Sequence, residues 1–196
     1  MAYYKDRLSY KIAIAAIIAA LYATLVWVLA PISFFTWQVR IADCLIPQTF
    51  IFGFPCVIGL TIGGFLSNMI SPYPIDLVVG PLANFLAAFF GYLIEKRNHS
   101  KGFRRVLKTQ FAITIQTLTN TFVVGTILGI YQTGTIDLSV LAIWWIGLLI
   151  GSLIAMNLLG FLIYEVIRKT NLFQIESQST NLDIAIQYTA REFGSK

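Results

Sequence analysis

Arg40 stands alone inside the apolar body of the chain, while the other thirteen of its fourteen Lys and Arg residues lie in residues 5–11, 96–108 and 168–196. A charge in such surroundings costs several kcal/mol unless it is paired or faces a cavity, so Arg40 needs a chemical role. Asp43 follows three residues later. On a helix starting near Arg40 the two side chains share a face, which allows an ion pair at the helix start or joint contact with a ligand. Asp76 is a further acid near the same depth, accompanied by the amides Asn68, Asn84, Gln116 and Asn120. Gln116 and Asn120 are four apart and Asp76 and Asn84 eight apart, so each pair can line one cavity from its own helix. Hydrogen bonding between helices is the alternative for any one amide, and it is the expectation for the deepest, Asn157.

Carboxylates, amides and a guanidinium suit the edge of a flat polar ligand, accepting its N–H groups and donating to its carbonyls. Aromatic rings would hold its faces. Phe34, Trp37, Trp144 and Trp145 lie near the same end of the molecule. Because tryptophan also favours membrane interfaces, only one of Trp144 and Trp145 is expected to face inward. The chain has no G-x-x-x-x-G-K-[ST], H-E-x-x-H or G-x-S-x-G, and its one histidine, His99, sits in a basic segment. Metal catalysis, a cofactor and ATP hydrolysis by this chain are therefore not expected.

The elements that must position these groups follow from composition. With 57% hydrophobic and 12% charged residues and a mean hydropathy of +0.75, the chain is expected to be an all-α, polytopic membrane protein. Its 196 residues allow one bundle of about six crossings at roughly 20 residues each. The net charge of +5 comes from segments flanking apolar runs, where membrane orientation accounts for it; basic and aromatic residues do not interleave as a nucleic-acid groove would require. Cys44 and Cys56 would lie roughly 18 Å apart along a helix and are expected to be buried thiols.

Apolar runs predict helices over 9–30, 56–70, 75–93, 106–131 and 138–167. Lys5, Arg7 and Lys11 before the first run imitate a signal peptide, but the run is long and is read as a retained first transmembrane helix. The stretch 41–52 contains Pro47 and precedes Gly53-Phe54-Pro55. It is either a separate short helix or the first half of a kinked one. Charge separates the two: the N-terminus and the basic loop 95–108 should both be cytoplasmic, which demands an even number of intervening crossings. Six transmembrane helices with both termini cytoplasmic is the consistent solution, in a cell-membrane protein. Residues 1–170 then form the membrane domain and 171–196 a polar tail, with a short surface helix near 182–193. The alternating residues Thr36 to Ile41 suit an extended outer cap that could act as a lid.

Helix 1 carries Ala15, Ala19 and Ala23 at four-residue spacing, with Ala16 and Ala20 beside them. Small residues so spaced permit close approach of another helix, either within the bundle or on a separate membrane subunit. Gly125-x3-Gly129 and Gly147-x3-Gly151 are weaker instances.

The segments Leu29-Ala-Pro-Ile-Ser-Phe34, Gln38-Val-Arg40-Ile-Ala-Asp43, Gly59 to Asn68 (GLTIGGFLSN), and Ile75-Asp76 leading to Gly80-Pro-Leu-Ala-Asn84 resemble the QueT-type family. These are queuosine-precursor substrate-binding (S) components of energy-coupling factor (ECF) transporters. The resemblance implies capture of a 7-deazaguanine such as preQ1 or preQ0 on the outer side. It also implies docking, in the lipid bilayer, on an EcfT-like coupling transmembrane subunit with two cytoplasmic ATPases, through the small-residue face Ala15, Ala16, Ala19, Ala20 and Ala23. Arg40, Asp43, Asn68, Asp76 and Asn84 occupy motif positions, whereas Gln116, Asn120 and Trp144 rest on depth alone. The chain departs from the commonest pattern in having Asp43 where Glu is frequent. Two other functions fit the composition: a secondary transporter working alone with Arg40 and Asp76 as an ion or proton site, and a membrane enzyme or assembly factor, for which no nucleophile is apparent.

Overall fold

A backbone in hydrocarbon must satisfy its own N–H and C=O groups, and here it does so by helices alone. The computed structural model describes residues 8–34, 39–96 and 100–170, and no strand occurs among them. In chain order the elements are α1 (Leu8–Val28), the single turn α2 (Ala30–Ser33), a 3₁₀ helix (Ile41–Gln48), α3 (Thr49–Phe52), α4 (Phe54–Asn68), α5 (Asp76–Glu95), α6 (Gly102–Thr133), α7 (Leu138–Ser152), a π-helical stretch (Leu153–Gly160) and α8 (Phe161–Lys169). Among the described residues four continuous helices are long and apolar enough to cross a membrane: Leu8–Val28, Asp76–Glu95, Gly102–Thr133 and Leu138–Lys169; Ile41–Phe52 and Phe54–Asn68 are shorter apolar helices. Of the expected outer cap over Thr36–Ile41, residues 36–38 lie outside the described residues and Ile41 begins the 3₁₀ helix; the charged residues before Leu8, His99 and the tail after Thr170 also lie outside them.

Chain direction answers the question posed by 41–52. A Cβ on Gly59 would lie 2.6 Å from the Ala15 carbonyl oxygen, and one on Gly63 would lie 2.9 Å from the Tyr22 Cβ, so α4 runs beside α1 in the same direction. The chain must therefore return between them. It does so through the 3₁₀ helix and α3, which descend from the level of Ser152 past Gly160, packed on Pro47, to Tyr164, whose ring meets Phe50 edge-on. The reversal into α4 occurs at Gly53, whose φ of 67° and ψ of −152° favour glycine. Pro55 sits in the first turn of α4, where a missing N–H costs nothing.

The remaining helices alternate in direction. α5 packs back along α4, α6 returns along α5, and Gly125 and Gly129 of α6 receive Trp145 and Leu141 of α7. Gly134 ends α6 in the left-handed conformation, at φ 71°. Asp137 then caps α7 by accepting the backbone N–H of Ser139 at 2.9 Å, and that donor with the Ser139 hydroxyl holds its carboxyl below the usual range. At the opposite end Glu165 accepts Arg105 at 2.7 Å and Arg168 at 2.9 Å. The first turn of α6 precedes the predicted start at 106 because hydropathy discounts Arg104 and Arg105, although their backbone continues the helix.

The alanine rows of α1 divide. Ala19 and Ala23 are buried and Ala15 is half-buried, facing α4, so this row serves close packing inside the bundle. Ala16 and Ala20 are exposed on the adjacent face. Cys44 and Cys56 are buried free thiols.

Candidate functional site

Arg40, Asp43 and Asp76 are the buried members of the Lys, Arg, His, Asp and Glu set among the described residues. The three come from segments that local chemistry makes irregular. Arg40 enters the 3₁₀ helix, and its carbonyl accepts the Asp43 N–H at 3.0 Å. Three residues per turn then place both side chains on one side. The Arg40 guanidinium lies 5.4 Å from the centre of the Phe34 ring, a cation–π contact. Its Nε is buried with no partner among the described residues.

The ion pair that the Arg40–Asp43 spacing allows is not made; the ion pairs among the described residues involve Glu165. Asp43 is held by neutral donors instead. Its Oδ1 accepts the Tyr22 hydroxyl at 2.6 Å, and its Oδ2 accepts the Asn120 amide at 3.2 Å. The Tyr22 hydroxyl also lies 3.4 Å from Asn84 Oδ1, and Asn84 donates to the Leu60 carbonyl at 3.2 Å. One polar chain thus ties α1, the 3₁₀ helix, α4, α5 and α6 together. Low surrounding dielectric strengthens each of its bonds.

Arg40, Asp43 and Asn120 border a cavity of about 10 Å³, completed by Val124, Leu148 and Ser152. That volume holds about one water.

The other amides have different neighbours. Asn68 donates to the Asp76 carbonyl at 2.9 Å, while the Asp76 side chain accepts the Ser71 hydroxyl at 2.7 Å. Gln116 donates to Thr49 Oγ1 at 3.3 Å, bracing the 3₁₀–α3 junction. Glycines admit these side chains: a Cβ would stand 1.7 Å from Asn68 Nδ2 at Gly80, 2.7 Å from Asn84 Nδ2 at Gly64 and 2.3 Å from Gln116 Cγ at Gly91. Asn68, Asn84 and Gln116 consequently work between helices and do not border the Arg40 cavity. Asn157, as expected, is an interhelical group, accepting Thr117 at 2.7 Å and donating to Thr114 at 3.1 Å.

Trp144 is the inward tryptophan, at 2% exposure. Its indole N–H donates to Gln132 at 2.9 Å, and its ring meets Tyr73 edge-on at 6.0 Å. It walls a separate groove of about 400 Å³ with Gln132, Thr133, Val140 and Ile143. Trp144 nevertheless shares an apolar cluster with Val124 and Leu148, which border the Arg40 cavity. Trp145 is half-buried and donates to Thr126 at 3.1 Å.

Tyr22 and Ser152 are the polar groups that sequence reasoning missed. A signal for Tyr22 existed: a mid-helix phenol among alanines must find a partner for its hydroxyl. Nothing comparable marks Ser152.

A family model described as QueT transporter matches residues 12–169. The chain belongs to the QueT transporter family. No curated protein and no solved structure matches it. Membership makes this chain a membrane transporter with a small-molecule substrate. Arg40, Asp43 and Asn120 are the polar side chains that meet at the small cavity.

Proposed function

We propose that this QueT chain is the substrate-binding S component of an ECF importer, taking up a queuosine precursor of the 7-deazaguanine class. The observation that carries the reading is a cavity bordered by Arg40, Asp43 and Asn120, with the Arg40 Nε buried and without a partner among the described residues. A guanine-like edge matches this set: its N–H and exocyclic amine suit a carboxylate, and its carbonyl suits a guanidinium or amide donor.

The fold supports the arrangement. The alternating chain directions agree with six crossings, and the basic residues near α1's start, between α5 and α6 and after α8 then share the cytoplasmic side. This leaves the Arg40 cluster toward the outer side and residues 171–196 as a cytoplasmic tail separate from the membrane domain. The exposed Ala16 and Ala20 of α1 offer a smooth face to an EcfT-like subunit carrying two ATPases.

Calorimetric titration of the purified chain with preQ1 and preQ0 tests the reading. Tight binding without ATP is expected; no binding of either would end it. Uptake by proteoliposomes lacking any ATPase would instead establish a secondary transporter.

A further inference from the structure

The basic side chains at the start of α6 and the end of α8 do not share one fate. Arg105 and Arg168 are both taken by Glu165, at 2.7 Å and 2.9 Å. Glu95, at the same end of the bundle, accepts the Thr109 hydroxyl at 2.9 Å. Arg104 and Lys108 are exposed and enter no ion pair among the described residues.

Their place on α6 is specific. Residues 109–133 carry no charged side chain, and at about 1.5 Å per residue they alone reach across a hydrocarbon core of roughly 30 Å, so Lys108 and Arg104 stand at its edge. Spacings of four and three put Arg104, Lys108 and Phe111 on one face of the helix. Phe111 is 60% exposed, and Phe122, about three turns further along the same face, is 49% exposed. Thr109 and Ala112 are buried on the other side, within the bundle. The two cations therefore continue the face that α6 turns to lipid. A molecule that contacts the whole of this face must be anionic at one end and apolar at the other.

We propose that Arg104 and Lys108 hold the headgroup of an anionic phospholipid whose acyl chains lie along the exposed Leu107 and Phe111. A zwitterionic headgroup presents the same phosphate but brings its own cation, which the basic pair repels. Snorkelling of the two side chains to the interface would accept either headgroup; attraction by their full charge favours the anionic one. The surface is separate from the Arg40 cavity, since Lys108 stands roughly 18 Å along α6 from Asn120. The proposal rests on the membrane location of the chain and is independent of the 7-deazaguanine reading.

The probes are phosphatidylglycerol and phosphatidylcholine with identical acyl chains, titrated onto the purified full-length chain in detergent, with retained lipid read by native mass spectrometry. Wild type should bind phosphatidylglycerol at least about tenfold more tightly, as two basic residues at a membrane surface imply. The double variant Arg104→Gln/Lys108→Gln should bring the two lipids close to parity, and Arg104→Lys/Lys108→Arg should keep the preference. Lys11→Gln/Lys169→Gln removes the same charge from α1 and α8 at the same end of the bundle and should also keep it. Equal retention of both lipids by wild type overturns the proposal, whether or not any variant folds. An unchanged preference in Arg104→Gln/Lys108→Gln overturns it too. A loss as large in Lys11→Gln/Lys169→Gln would show a diffuse field in place of a site. Displacement of the lipid by inorganic phosphate, but not by chloride at equal ionic strength, would show a site for the free anion instead.

Discussion

At the scale of single residues, the cluster around Asp43 shows how a buried carboxylate is kept without a salt bridge. Two neutral donors reach it from α1 and α6, and the buried Arg40 Nε has no partner among the described residues. Tyr22→Phe removes the shorter bond and should cost about 1.5–3 kcal/mol, the range for a hydrogen bond to a charged group. Thermal unfolding in detergent measures this, and an unchanged midpoint would show that the bond does not stabilise the fold. Asp43→Asn should weaken ligand binding by about 2–4 kcal/mol if the carboxylate is a desolvated acceptor. Arg40, Asp43 and Asp76 were legible in the sequence because a charge in an apolar segment announces itself. Tyr22 and Ser152 were not, since a single hydroxyl is compatible with lipid-facing, interhelical or cavity positions, and only the fold distinguishes them.

At the scale of elements, glycines set the spacing between helices. Gly80 and Gly91 exist as gaps for Asn68 and Gln116, so a methyl at either position must displace a hydrogen-bonded amide. Gly80→Ala and Gly91→Ala should each destabilise by about 1–3 kcal/mol through overpacking. Equal unfolding midpoints for wild type and variants would show that the amides move aside freely. The two faces of α1 make a paired prediction about docking. Ala20→Trp should leave ligand binding intact and abolish uptake in the reconstituted transporter, whereas Ala19→Trp should damage the fold itself, because Ala19 faces Gly63. Uptake surviving Ala20→Trp would remove this face from the docking surface. Spacing alone predicted that small residues would meet a helix; which row met α4 required knowing where α4 lay. The 3₁₀ and π segments were likewise hidden. Gln48 joins the two segments, bonding the nearby Cys44 carbonyl at 3.1 Å and the Gly160 carbonyl, distant in the chain, at 3.0 Å.

At the scale of the whole molecule, the alternation of helix directions agrees with the parity argument from the basic segments, although Ile41–Phe52 and Phe54–Asn68 are shorter than the other apolar helices. A 3₁₀ helix rises about 2.0 Å per residue, so the descending segment reaches further than an α-helix of equal length. That irregular segment also carries Asp43 and follows Arg40 directly, so the element that closes the bundle is also the one that brings charge to its interior. The account stands on one claim, that this interior charge is the substrate site. Titrating the purified full-length chain with preQ1, without ATP or partner subunits, tests it most directly when Asp43→Asn is run beside wild type. The prediction is saturable binding by wild type and a loss of about thirtyfold to a thousandfold in the variant. Equal affinity in a variant that remains folded, or no binding by wild type, would contradict it.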